Sequence, residues 1–212
     1  MNRIEELYRD HPLAPAFARG YLDYLREVLL RLDAAAIARF IDLLLAARER
    51  GARIFFLGNG GSAATASHFA NDLAIGCRGG AKPFRALSLT DNLSMVTAIG
   101  NDCGYDEIFI QQLQAQVVPG DVVVAISASG NSANVIKAVE YAKGVPAVTV
   151  ALTGFDGGRL KQVASLVVHV PTDKGEYGPV EDVHLILDHL VSSFLANLCR
   201  AEQKDQTIGS TA

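Results

Sequence analysis

The chain has no tryptophan and only three cysteines in 212 residues. Cys77, Cys103 and Cys199 are widely spaced with no Cys-x-x-Cys, a pattern that speaks against a disulfide framework and suits a reducing compartment. A basic surplus is also missing: 19 Lys and Arg stand against 23 Asp and Glu, for a net charge of −4. The cations are scattered rather than clustered, so there is no nucleic-acid footprint, and any anion must be bound by local geometry. No apolar run approaches the ~20 residues of a membrane span. Residues 1–9 are polar and charged, so neither a signal peptide nor a membrane association is expected, and the cytoplasm is the expected location. What is present is a half-hydrophobic chain, long enough to bury one core without staples.

Two short loops carry the strongest chemical signal. Gly58-Asn59-Gly60-Gly61-Ser62 and Ser127-Ala128-Ser129-Gly130-Asn131-Ser132 each follow an apolar run and precede a helix-like stretch. Glycine lets backbone N–H groups approach an oxyanion, serine hydroxyls add donors, and a helix N-terminus adds partial positive charge. One such loop can be a purely steric turn. A pair with the hydroxyls of Ser62, Ser127, Ser129 and Ser132, at the ends of neighbouring strands, points to a phosphate-bearing ligand.

Along the chain, residues 12–50 read as helix, with Leu22, Leu25, Leu29, Leu32, Ile37, Phe40, Ile41, Leu44 and Leu45 at helical spacings and Asp33 as a cap. This apolar surface either pairs with copies of itself or folds back on the protein's own sheet. From residue 53 the texture becomes α/β. Strands are expected at 53–57, 84–89, 122–126, 147–152 and 166–170, with helices beginning near Ser62, Asn92, Ser132 and Asp156. A polar loop at 172–179 leads to a last helix over about 180–200. The expected organisation is a helical segment over 1–50, an α/β domain over 51–200 and a flexible polar tail over 201–212.

Gly58 to Ala63 also satisfies the G-x-G-x-x-A dinucleotide fingerprint. The companion acid, Asp91, comes about ten residues later than that rule requires, and a dinucleotide site leaves the second serine loop unexplained. Gly-Lys-Ser/Thr is absent, which excludes a Walker loop. No nucleotide cofactor is expected, and a nicotinamide-dependent oxidoreductase is the weakest reading.

Taken with His68-Phe69-Ala70, the run 126–135 and the later 152–158, the two loops resemble the sugar isomerase (SIS) domain family, and within it the phosphoheptose isomerases. The resemblance covers nearly the whole chain. It implies a five-stranded parallel sheet flanked by helices, flavodoxin-like or Rossmann-like. It also implies a homotetramer, with active sites at subunit interfaces and the N-terminal helices used in oligomerisation. The implied activity is ketose–aldose isomerisation of sedoheptulose 7-phosphate to a glycero-manno-heptose 7-phosphate through an enediol. By the family pattern, Ser62, Ser127, Ser129 and Ser132 hold the phosphate, while Asn59, Gly60 and Asp91 contact it or the sugar. Asp72 and His189 are the implied catalytic pair. His68, Asp72, Glu181 and His189 match a set through which some members bind zinc, and Glu181 is also a substrate contact.

On a helix His68 and Asp72, at i and i+4, face the same way and can share a metal or a substrate. Glu181 and His189 are eight apart, about 12 Å along a regular helix. Either the helix starts after Glu181 or the metal site joins two subunits. The phosphate half of the pattern is intact, whereas the catalytic half departs from it. Asp72 stands where glutamate is usual, Glu181 where glutamine is usual and Ala128 where threonine is usual; the expected arginine falls on Gly76, with Arg78 two residues later. A second function class is therefore kept open: a non-catalytic phosphosugar- or protein-binding regulator, of the type that binds the replication initiator.

Overall fold

The computed structural model describes residues 1–79 and 82–209, with the backbone alone over 205–209. Five parallel strands form one sheet, as the sequence predicts, in the order β2-β1-β3-β4-β5. They are β1 (Arg53–Gly58), β2 (Arg85–Ser88), β3 (Val122–Ser127), β4 (Val148–Thr153) and β5 (Leu166–His169). The strands read as unbroken apolar runs because both faces are covered. On β1, Ile54 and Phe56 enter one core and Phe55 and Leu57 the other; Val122, Val124 and Ile126 of β3 alternate likewise with Val123 and Ala125.

One face is covered by α3 (Ala34–Glu49), α4 (Gly61–Asn71) and α9 (Tyr177–Gly209), the other by α5 (Leu93–Asp102), α6 (Ile110–Gln116), α7 (Ala133–Gly144) and α8 (Gly158–Val163). Between them α1 (Arg3–Asp10) and α2 (Ala14–Leu30) extend the first layer, α2 leaning on α9. Asp33 caps α3 by accepting from the Ala35 N–H at 2.9 Å, as its position suggests. Ile37, Phe40 and Leu44 of α3 are buried in the protein's own core, so this part of the N-terminal apolar surface folds back on the sheet. Leu22 and Leu30 of α2 stay exposed. Helix α1 lies ahead of the helical stretch expected at 12–50; it opens with a capping box of Asn2 and Glu5, and none of its residues is buried. α9 starts before residue 180 and continues past Ala201 to Gly209; the last three residues of the expected tail lie outside the described ones.

Phe69 ties α4 to the sheet. Its ring stacks on Phe56 at 4.8 Å and meets Phe40 edge-on at 5.8 Å, with no exposure. Phe69→Ala is expected to cost about 3–5 kcal/mol, or roughly 6–20 °C of Tm in a chain of this length, in a thermal melt. A shift under a few degrees would mean that the core collapses around the gap.

The sheet order reverses between β1 and β3, which lie side by side while their connections leave in opposite directions. In open α/β sheets the crevice beyond the strand ends at such a reversal is where ligands bind. Both glycine and serine loops end there.

Candidate active site

The first loop leaves β1 and turns at Gly60, whose φ of 54° and ψ of −124° suit only glycine. That turn starts α4 at Gly61 and places Ser62 in its first turn. The second loop leaves β3 and ends at Ser132, the N-cap of α7. The loops are clamped together by a reciprocal amide pair: Asn59 Nδ2 donates to Asn134 Oδ1 at 2.9 Å and Asn134 Nδ2 donates back at 3.0 Å. Tyr105 adds its hydroxyl to Asn59 Oδ1 at 2.9 Å.

Between the loops lies a cleft of about 150 Å³ lined by Asn59, Ser62, Ser127, Ala128, Ser129, Ser132, Tyr177 and Glu181. All four predicted hydroxyls therefore share one cleft. Ser127 Oγ accepts from the Gly130 N–H at 3.2 Å and lies 3.5 Å from Ser132 Oγ, so the second loop is folded around its own serines. Gly60 lines an adjoining cleft with Asn59, Thr90 and Tyr105. Asp91, just beyond β2, is held by the Ser67 hydroxyl of α4 and is not among the residues lining the serine cleft.

Glu181 enters the same cleft from α9. A Cβ on Gly61 would overlap its carboxylate, so the first turn of α4 accepts no larger residue there. Burial, and after it the charge of Asp182, raises the Glu181 carboxyl above its ordinary range. A partly buried carboxylate here opposes a phosphate dianion at the same donors.

The second half of the site lies farther along α4. His68 faces His189 of α9, with the two Nε2 atoms 3.3 Å apart and the rings edge to face. Asp72 follows His68 by one turn and begins a short π-helical segment, Asp72–Gly76, in which the Cys77 N–H returns to the Asp72 carbonyl. Such wide turns often mark functional sites. Asp72 Oδ2 lies 3.6 Å from His68 Nε2 and accepts from the Ser192 hydroxyl at 3.4 Å. The donor atoms of His68, Asp72, Asp188 and His189 all lie within 4.8 Å of one another. Two imidazoles and carboxylate oxygens gathered so closely, with His68 and His189 exposed to a ligand's approach, suit a divalent cation of the zinc class.

The structure thus brings His68, Asp72 and His189 together, as the family resemblance implies, and groups Glu181 with the serines. Since α9 begins at Tyr177, regular helix separates Glu181 from His189, and the alternative of a helix starting after Glu181 is removed. Asp188 was missed. Its signal was in the sequence: it falls on the stripe Val180, Val183, Leu187, Val191 and Leu195 that α9 buries, where a carboxylate is out of place. Asp188 has no exposure, and neither carboxylate oxygen has a hydrogen-bond partner among the described residues. Burial, then the charge of Asp72, raises its carboxyl to about 7. His184, one turn earlier, is also fully buried, which holds it neutral by lowering it to about 4.

A larger surface cleft, about 660 Å³, runs along α2 past Arg3, Tyr24, Glu27, Arg31 and Asp173. Charges of both signs line it, and it contains neither the serines nor the clustered ligating groups. No helix among the described residues is long and apolar enough to cross a membrane.

A family model described as SIS domain matches residues 20–154. The chain is similar to a phosphoheptose isomerase from Rhodospirillum rubrum, at 38% identity over 184 residues, 85% of this chain and 97% of that protein. It is 41% identical over 155 residues to one from Geobacter metallireducens, covering 73% of this chain and 81% of the relative. The solved structure of phosphoheptose isomerase from Neisseria gonorrhoeae superposes with a TM-score of 0.75 at 33% identity, over 85% of this chain and 96% of that one.

Proposed function

Because the chain belongs to the SIS-domain family, in the company of its phosphoheptose isomerases, we propose that it interconverts sedoheptulose 7-phosphate and a glycero-manno-heptose 7-phosphate. It is an aldose–ketose isomerase, and its substrate is a sugar phosphate. The observation that carries the reading is the union of two sites along α4: the serine cleft at the helix's first turn and a histidine–carboxylate cluster at its end. Ser62 and His68 are six residues apart, about 9 Å along the helix. That span suits a sugar bound by its phosphate and worked on at the opposite end.

In this reading the phosphate takes hydrogen bonds from Ser62, Ser127, Ser129 and Ser132, from backbone N–H groups of the two loops, and from the N-terminal fields of α4 and α7. Asn59 and Gly60 fix the chain next to the phosphate, and Asp91 and Glu181 accept from sugar hydroxyls. Asp72 and His189 trade the proton: one removes it from C1 of the ketose and the pair returns a proton to C2, while the accompanying proton moves between O1 and O2. His68, Asp72 and His189 would hold a divalent cation, with zinc matching the donor set. When bound, that cation would polarise the oxygen on C1 or C2 and stabilise the enediolate. The protein works as a cytoplasmic homotetramer, with the exposed Leu22 and Leu30 of α2 among the surfaces available for assembly.

Incubation with sedoheptulose 7-phosphate, followed by anion-exchange separation, is expected to show an aldose heptose phosphate approaching a fixed ratio from either side. Tight binding without conversion would instead support the non-catalytic regulator. Glu181→Gln removes the negative charge from the serine cleft and is expected to lower KM several-fold. The raised pKa keeps Glu181 protonated over a wider acid range, so the gain should be larger at pH 8 than at pH 5; equal gains at both would show that charge is not the cause.

A further inference from the structure

We propose that Asp188, not Glu181, supplies the fourth ligand to a divalent cation held by His68, Asp72 and His189, so that the cation site is complete within one subunit. The inference deepens the reading above and rests on its cation.

Three observations on α9 lead to it. Asp188 is the one carboxylate of the cluster with no exposure, and both its oxygens lack hydrogen-bond partners among the described residues. An isolated buried carboxylate is strongly unfavourable unless a cation or donors offset it. Its Oδ2 is 3.9 Å from His68 Nε2, too long for a hydrogen bond but close enough to share an ion. Around zinc, bonds of about 2.0–2.1 Å place neighbouring ligand atoms roughly 3.3–3.4 Å apart at tetrahedral angles. The separations from His68 Nε2 are 3.3 Å to His189, 3.6 Å to Asp72 and 3.9 Å to Asp188, and all four donor atoms lie within 4.8 Å of one another, so side-chain rotations draw them into one shell.

Glu181 cannot do the same from the same chain. It lies two turns back on α9, with its carboxylate against Gly61 in the serine cleft. With Asp188 in the fourth place, Glu181 is left to the substrate, and no second subunit is needed to finish the cation site.

The test is cobalt(II) binding to metal-stripped protein, followed by the visible absorption of the bound ion, metal content after gel filtration and thermal melts. Wild type is expected to take up one ion per chain, with the intense visible bands of four-coordinate cobalt and a raised Tm, at an affinity independent of protein concentration. Loss of an outer-shell partner typically weakens a site 10–100-fold, so Asp188→Asn, which removes a direct ligand, is expected to weaken binding about 100-fold or more and to change the bands. Glu181→Gln should keep both affinity and spectrum. The metal-free melt reports folding of each variant independently, and Asp188→Ser serves as a second replacement if Asp188→Asn does not fold. Retained binding in the folded Asp188 variants, loss of binding in Glu181→Gln, concentration-dependent uptake, or no uptake by wild type would each overturn the proposal. Isomerase turnover, measured separately, decides the functional reading whatever the metal result.

Discussion

His189→Ala should lower kcat about 10³-fold, within the range for loss of a positioned acid or base, while phosphosugar affinity changes only a few-fold. His189 stands on the exposed side of α9 beside His68, and the phosphate donors sit at the other end of α4. In the proposed mechanism, removing it takes away a proton-transfer group and a cation ligand, both acting in the transition state, without touching the serines that would hold the phosphate. Asp72→Asn should behave alike. Because the proposed mechanism has the two act as one proton-transfer unit, the double variant should lose little more than either single one. Rates come from product formation and affinities from calorimetry. Loss of phosphosugar affinity in both variants would assign the pair to architecture rather than to turnover.

The second large effect is expected from Ser62→Ala combined with Ser132→Ala. Each hydroxyl offers a hydrogen bond to a charged phosphate, worth about 1.5–3 kcal/mol. Together they give a loss of roughly 10²–10⁴-fold in kcat/KM, carried mainly by KM. The two serines lie on different helices facing one cleft, so their contributions should combine. Gly60, whose backbone angles suit only glycine, and the Asn59–Asn134 amide pair keep the loops in place when the hydroxyls are gone. A change of less than tenfold would mean that the phosphate is held elsewhere.

Much of this was legible in the sequence because the informative residues are local. A strand running into Gly-Asn-Gly-Gly-Ser can hardly be anything but a tight turn into a helix, and the apolar runs of β1 and β3 have the texture of a sheet buried on both faces. The gathering of His68 with His189 was legible only through resemblance, since they meet across two helices brought together by the sheet. Two features were harder. The π-helical turn at Asp72 has no strong composition signal, and it re-aims the chain where a regular helix would otherwise continue. Asp188 was not singled out although it falls on the apolar stripe of α9; its complete burial is what marks it. Glu181 shows the opposite case: its motif position suggested a ligand, but the length of regular helix between it and His189 places it with the serines.

In the proposed function, one site binds a phosphosugar and moves a proton between adjacent carbons. This is tested most directly by incubating the protein with sedoheptulose 7-phosphate in deuterated water and following the pool by NMR over many turnovers. The expected products are an aldose heptose phosphate carrying deuterium at C2 and ketose with deuterium exchanged into C1, and neither in His189→Ala. Conversion that stays free of deuterium after many cycles would contradict the enediol route, and an unchanged ketose that still binds would contradict catalysis itself.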